Sequence, residues 1–112
     1  MSWEYYINSR GYNPSYDDIL DYIVLHFPCM TKDRSDKHCD MKHYVVNWWF
    51  KNKRRFYKYT GTQLLARKLN LTNHTSVIHY INKRVPSHNY QKNIKELKEI
   101  IGYEAKKLRK SA

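Results

Sequence analysis

The chain has 112 residues, enough for one domain with a modest core and too few for two, and it carries a formal net charge of +11. With 41% apolar and 15% aromatic residues it is not composed like a disordered chain. No apolar run reaches membrane-spanning length, and the start MSWEYYINSR lacks the order of a secretory signal. A membrane partner is therefore not expected, and the expected location is cytoplasmic.

The charge is unevenly spread. Residues 1–36 hold three basic and six acidic groups, a balance of −3, which leaves +14 on residues 37–112. A basic body behind a mildly acidic start suggests a polyanion-binding face.

In chain order, residues 1–13 hold Trp3, Tyr5, Tyr6 and Tyr12 without a period and read as an aromatic N-terminal arm. Residues 14–112 read as the folded domain. Ser15 with Asp18 forms a capping box, and Ile19, Leu20, Ile23, Val24 and Phe27 make one helical stripe that Pro28 ends. Residues 28–39 are polar and read as a loop. A second helix is predicted from about Asp40, as its cap, into the mid-fifties, with Met41, Tyr44, Val45, Trp48 and Trp49 inward. Thr60-Gly61-Thr62 breaks the pattern and offers capping oxygens to a short helix, Gln63 to Leu69. Asn70-Leu71-Thr72 is a turn, and Asn73 caps a further helix running to about Arg84. A last helix is expected from Tyr90 to Lys110, with Ile94, Leu97 and Ile101 on its seam. No segment alternates for long enough to make a strand, so the fold class is all-α, a helical bundle.

A short helix, a three-residue turn and a second short helix are the layout of a DNA-reading helix-turn-helix. On the second helix Val77, Ile78 and Ile81 are expected to face the core. That leaves His74, Thr75, Ser76, His79 and Lys83 outward, where they can bond base edges or phosphates. Lys51, Lys53, Arg54, Arg55 and Lys58 form a dense cluster suited to phosphates, although such a run is more often a solvated helix face.

The run Asn73-His74-Thr75-Ser76-Val77-Ile78-His79 resembles the signature of domain IV, the C-terminal DNA-binding domain of the bacterial replication initiator DnaA. In one-letter code that signature is D-H-[TS]-[TS]-V, an apolar residue, and often His. The predicted helices fall where that domain has helices. The resemblance implies a Trp-repressor-like bundle that binds double-stranded DNA with no catalytic role and no cofactor. Carried over, His74, Thr75 and Ser76 are expected to read bases, and Asn73, at the signature's first position, and the outward His79 are expected to join them. Lys42, or Lys37 if the register slips, is expected in the minor groove. Three positions depart from the pattern. Asn73 replaces an Asp, so an amide faces the base and suits adenine. Ser76 lacks a methyl that Thr would offer a thymine. Thr72 stands where a basic residue is usual, and Asn70 and Leu71 where the turn has glycines. The initiator's ATPase is missing: Gly11, Gly61 and Gly102 do not build a phosphate loop, so no ATP is expected.

The implied role is a stand-alone reader in replication or transcription control, associated with the nucleoid, with a phage genome as a natural home. The rival reading is a protein–protein or structural module that keeps the fold without specific DNA binding, with the N-terminal arm as a surface for a protein partner. His26, Cys29, Cys39 and His43 have the spacing H-x2-C…C-x3-H, but the gap is short and no metal is expected. A Cys29–Cys39 disulfide is disfavoured in a reducing compartment.

Overall fold

The computed structural model describes residues 15–27, 35–71, 73–82 and 84–101. Among them every regular element is helical and none is a strand, so the chain is all-α. The arm at residues 1–13, Cys29, Thr72, Lys83 and the end of the last predicted helix lie outside the described residues.

Helix α1 (Tyr16–His26) starts as its sequence dictates: the Asp18 N–H donates to Ser15 Oγ at 3.2 Å, and the Ser15 N–H donates back to Asp18 Oδ2 at 3.1 Å. Its stripe of Ile19, Leu20 and Ile23 is fully buried, with Val24 and Phe27 packed at the margin.

Helix α2 (Asp36–Lys51) starts four residues before the expected cap, because the Ser35 hydroxyl accepts the His38 N–H at 3.4 Å and so starts the helix earlier. Asp40 is therefore not a cap. It sits inside the helix, fully buried. Both tryptophans of α2 are core, and the Trp49 indole donates to the Tyr59 carbonyl at 2.6 Å, which satisfies its only polar atom. Helix α2 also ends earlier than expected: Asn52 closes it with N–H bonds to the Trp48 and Trp49 carbonyls, and Lys53–Arg55 form a 3-10 turn.

The next unit is two short helices. Helix α3 (Thr62–Lys68) has Gly61 at its N-cap with no side-chain cap, so the expected threonine oxygens do not serve it. Its exit is a Schellman turn. The Leu71 N–H donates to the Ala66 carbonyl at 2.9 Å and the Asn70 N–H to the Arg67 carbonyl at 3.2 Å, with Asn70 at φ 55°. Asparagine is the side chain best able to replace glycine in that left-handed position, so the turn needs no glycine. Helix α4 (His74–Asn82) follows, and the Thr75 N–H donates to Asn73 Oδ1 at 2.9 Å as a true N-cap.

Helix α5 (Tyr90–Asn93) and helix α6 (residues 95–101) are separated by a break at Ile94, where one uniform helix was expected. Ile94, Leu97 and Ile100 bury the inner side of this segment, with Ile101 packed beside them. Helix α2 is the axis of the fold, packing against both α4 and α5, while α3 packs on α4. No described helix is long and apolar enough to cross a membrane.

Candidate nucleic-acid interface

Val77 and Tyr80 point α4 inward, and Ile81 is half-buried. Tyr80 lies three residues from Val77, so both fall on one helical face. Ile78 is one residue further round, and it is 42% exposed rather than core-facing as expected. The inner face is tied to α2 by polar contacts as well: Asn47 Nδ2 donates to the His43 carbonyl at 2.9 Å and to the Tyr80 carbonyl at 3.2 Å. The His43 ring stacks on Tyr80 at 6.1 Å.

What remains outward is a single strip made of His74, Thr75, Ile78, His79 and Asn82, all exposed. Their spacing of one, three and four residues keeps them on adjacent turns of one face. Of the predicted base-reading residues, Asn73, His74, Thr75 and His79 are exposed, and Ser76 is half-buried at the strip's edge. Ile78 joins the strip against the expectation that Val77, Ile78 and Ile81 face the core, and Asn82 is a further exposed member that the expected outward set does not contain. Counting three and four residues from Val77, to Tyr80 and Ile81, was the signal available. The cap also revises the role of Asn73. Holding Thr75 spends one lone pair of Oδ1 and fixes the amide's direction, so the outward offer is mainly the two Nδ2 hydrogens. Pairing with adenine through oxygen and nitrogen together, as expected from the sequence, is disfavoured in this geometry.

The exit of α4 is fixed by Asp40. Its carboxylate accepts from Arg84 Nη2 at 2.7 Å, the Ser87 N–H at 3.2 Å, the Ser87 hydroxyl, and Asn93 Nδ2 at 2.9 Å. Burial alone would raise its pKa, but the bonds from Ser87, Asn93 and Arg84 outweigh it and hold the carboxyl below the usual 3.8. Arg84 is thus committed inside the protein, with its ring-facing side over Tyr80 at 5.8 Å.

The two minor-groove candidates separate. Lys37 is exposed on the first turn of α2. Lys42 is 3% exposed and engaged within the protein, because its position lies on the packed side of α2 beside Met41. Buried there, Lys42 is not placed to enter a minor groove.

The basic cluster is exposed at every described position, but its members are not equivalent. Arg55 donates to the Tyr16 hydroxyl at 3.0 Å and lies over that ring. Lys58 faces Asp21 at 3.4 Å, and Lys53 lies over Trp49 at 5.5 Å. Among the described residues Lys51 and Arg54 have no such partner. Asp17 holds the end of the cluster in place by accepting the N–H groups of Tyr57, Lys58 and Tyr59 at 2.8, 3.0 and 3.2 Å. Tyr59 also donates its hydroxyl to Asp21, and burial followed by that bond raises its pKa. The cluster starts at Lys51, one helical turn beyond the Asn47 that grips α4, so α2 carries both features on one rigid element.

His26 is exposed at the end of α1, while Cys39 and His43 lie one turn apart on α2. Among the described residues no three His, Cys, Asp or Glu side chains come together as a metal site. No protein-family model, curated protein or solved structure matches the chain.

Proposed function

We propose that the protein is a sequence-specific double-stranded DNA-binding protein in which α3, the Asn70 turn and α4 act as a helix-turn-helix. One observation carries the reading: α4 is a capped helix, braced from behind, whose outer strip is His74, Thr75, Ile78, His79 and Asn82. Such a strip combines hydrogen-bonding groups with one branched apolar side chain, the mixture that base edges and thymine methyls demand in a major groove. Lys51, Lys53, Arg54 and Lys37 are the cations best placed to hold phosphates or an adjacent minor groove, with Arg55 and Lys58 having to leave their present partners first. The net charge of +14 on residues 37–112 supports the same partner. The likeness of residues 73–79 to the DnaA signature supports a stand-alone initiator-like reader acting in replication or transcription control.

The test is enrichment of bound duplexes from a random pool at near-physiological salt, followed by two variants. Thr75→Ala is expected to cost about 1–3 kcal/mol on the enriched site and little on random duplex. Arg54→Ala is expected to weaken both equally and to flatten the salt dependence by ~0.9 in log–log slope. Equal losses for Thr75→Ala on both duplexes would remove α4 from base reading. A second reading, a protein-interaction module, draws on the exposed Leu25, Phe50, Tyr57 and Val85. It predicts no enriched motif and little dependence on salt.

A further inference from the structure

A groove of about 370 Å³ lies between α2 and the α5–α6 segment, on residues that the DNA reading does not use for bases. Its size falls at the lower end of small-molecule sites, about 300–1,000 Å³. We propose that this groove binds a single nucleotide, its base between the aromatic walls and its phosphate on the lysines.

The chemistry of the lining selects that class. Tyr44, Trp48 and Tyr90 supply the walls, and a planar ring is what such walls stack best. The His43 ring, 5.5 Å from Tyr90, continues them, and its Nδ1 is buried without a hydrogen-bond partner. Two cations, Lys51 and Lys98, serve the same groove and no carboxylate lines it, so an anion is favoured and a metal-bound polyphosphate has no acidic anchor. The amides define the remaining edge. Asn47 spends both Nδ2 hydrogens on the His43 and Tyr80 carbonyls, and Asn52 uses one of its two on the Trp48 carbonyl at 2.9 Å. The oxygens of both are left as acceptors, which calls for a ligand with N–H donors. An aromatic ring bearing N–H donors together with a phosphate is a nucleotide. It can arrive free or as an unstacked nucleotide of a strand.

The site is tested without duplex DNA, so its outcome is independent of how α4 is used. The full chain is titrated with deoxyadenosine monophosphate and, separately, with a short oligodeoxyadenylate strand, reading backbone amide shifts and tryptophan fluorescence. Saturable shifts at Tyr44, Trp48, Tyr90 and Gln91 are expected from at least one of the two, and which one answers identifies the source. Gln91 and Lys98 both line the groove from exposed positions, and Gln91→Ala with Lys98→Ser is expected to weaken that binding tenfold or more without altering the fold. Ribose 5-phosphate, which lacks the base, is expected not to reproduce the shifts. Shifts confined to residues 51–58, equal binding of ribose 5-phosphate, or binding unchanged in the double variant would each overturn the proposal.

Discussion

Two buried aspartates hold the molecule together in different ways. Asp17, in the first turn of α1, accepts three successive backbone N–H groups from residues 57–59. Asp40, mid-helix in α2, accepts mainly from side chains: a guanidinium, a hydroxyl and an amide. The first arrangement depends on the path of a loop, which many sequences can follow. The second depends on the donor groups that Arg84, Ser87 and Asn93 supply from their side chains. Asp17 secures the basic segment and Asp40 secures the exit of α4, so the supports of the two proposed DNA contacts differ in their tolerance to mutation.

The comparison breaks first at Asp40. Asp40→Ala strands the Arg84 charge, which is 18% exposed, and is expected to cost about 3–5 kcal/mol in urea unfolding. A loss below ~1 kcal/mol would mean that Arg84 finds water or another partner. Asp17→Ala comes next, at about 1–3 kcal/mol, because three N–H groups lose their acceptor, two of them on the exposed residues Tyr57 and Lys58 and one on the buried Tyr59. Asp17→Asn is expected to recover part of this, since its one amide oxygen can still accept the Lys58 and Tyr59 N–H groups while Tyr57 meets an NH2, whereas Asp40→Asn loses the charge that Arg84 needs. If both Asn variants behave alike, the distinction between loop and side-chain donors fails.

The smallest effect concerns pH. Burial, and then the nearby Arg84 charge, push the His43 pKa below 6.5, while Asp40 acts weakly the other way and His79 with Arg84. The unfolded chain therefore takes up a proton near pH 6.5 that the folded chain refuses. Stability is expected to fall as pH drops below about 6.5 and to level off once the folded pKa is passed. Asp40 is shifted in the same direction, downward, but by its partners' bonds rather than by burial: its contribution is present above 3.8 and is lost as pH falls through its lower folded value. Melting temperatures of His43→Gln across this range are expected to lose the upper slope and keep the lower. Retention of the upper slope would assign it to another histidine.

Local patterns were readable where the cause was local. The Ser15–Asp18 box, the Ile19–Ile23 stripe and the Asn73 cap all involve partners within a few residues, and all are present. The short helices on either side of Asn70 were readable for the same reason. What escaped depended on distant partners. Asp40 has the composition of a cap, and only Arg84, Ser87 and Asn93, brought from more than forty residues away, make it a core residue. Ile78 has the composition of a core residue, and only the prior claim of Tyr80 on the inner face turns it outward. Lys42 could not be told from Lys37 by charge; the register of the earlier-starting α2 decides between them.

The long reach of Asp40 also orders the events of folding. Its bonds close loops of 44 to 53 residues, whereas the Schellman turn and the Asn73 cap join neighbours. Short closures form fast and long ones wait for the chain to collapse. The α3–turn–α4 unit is then expected early and the Asp40 contacts last. In a stopped-flow chevron, Asp40→Ala should accelerate unfolding and leave refolding nearly unchanged. The residue that holds the exit of α4 would thus govern how long the native state lasts far more than how quickly it is reached.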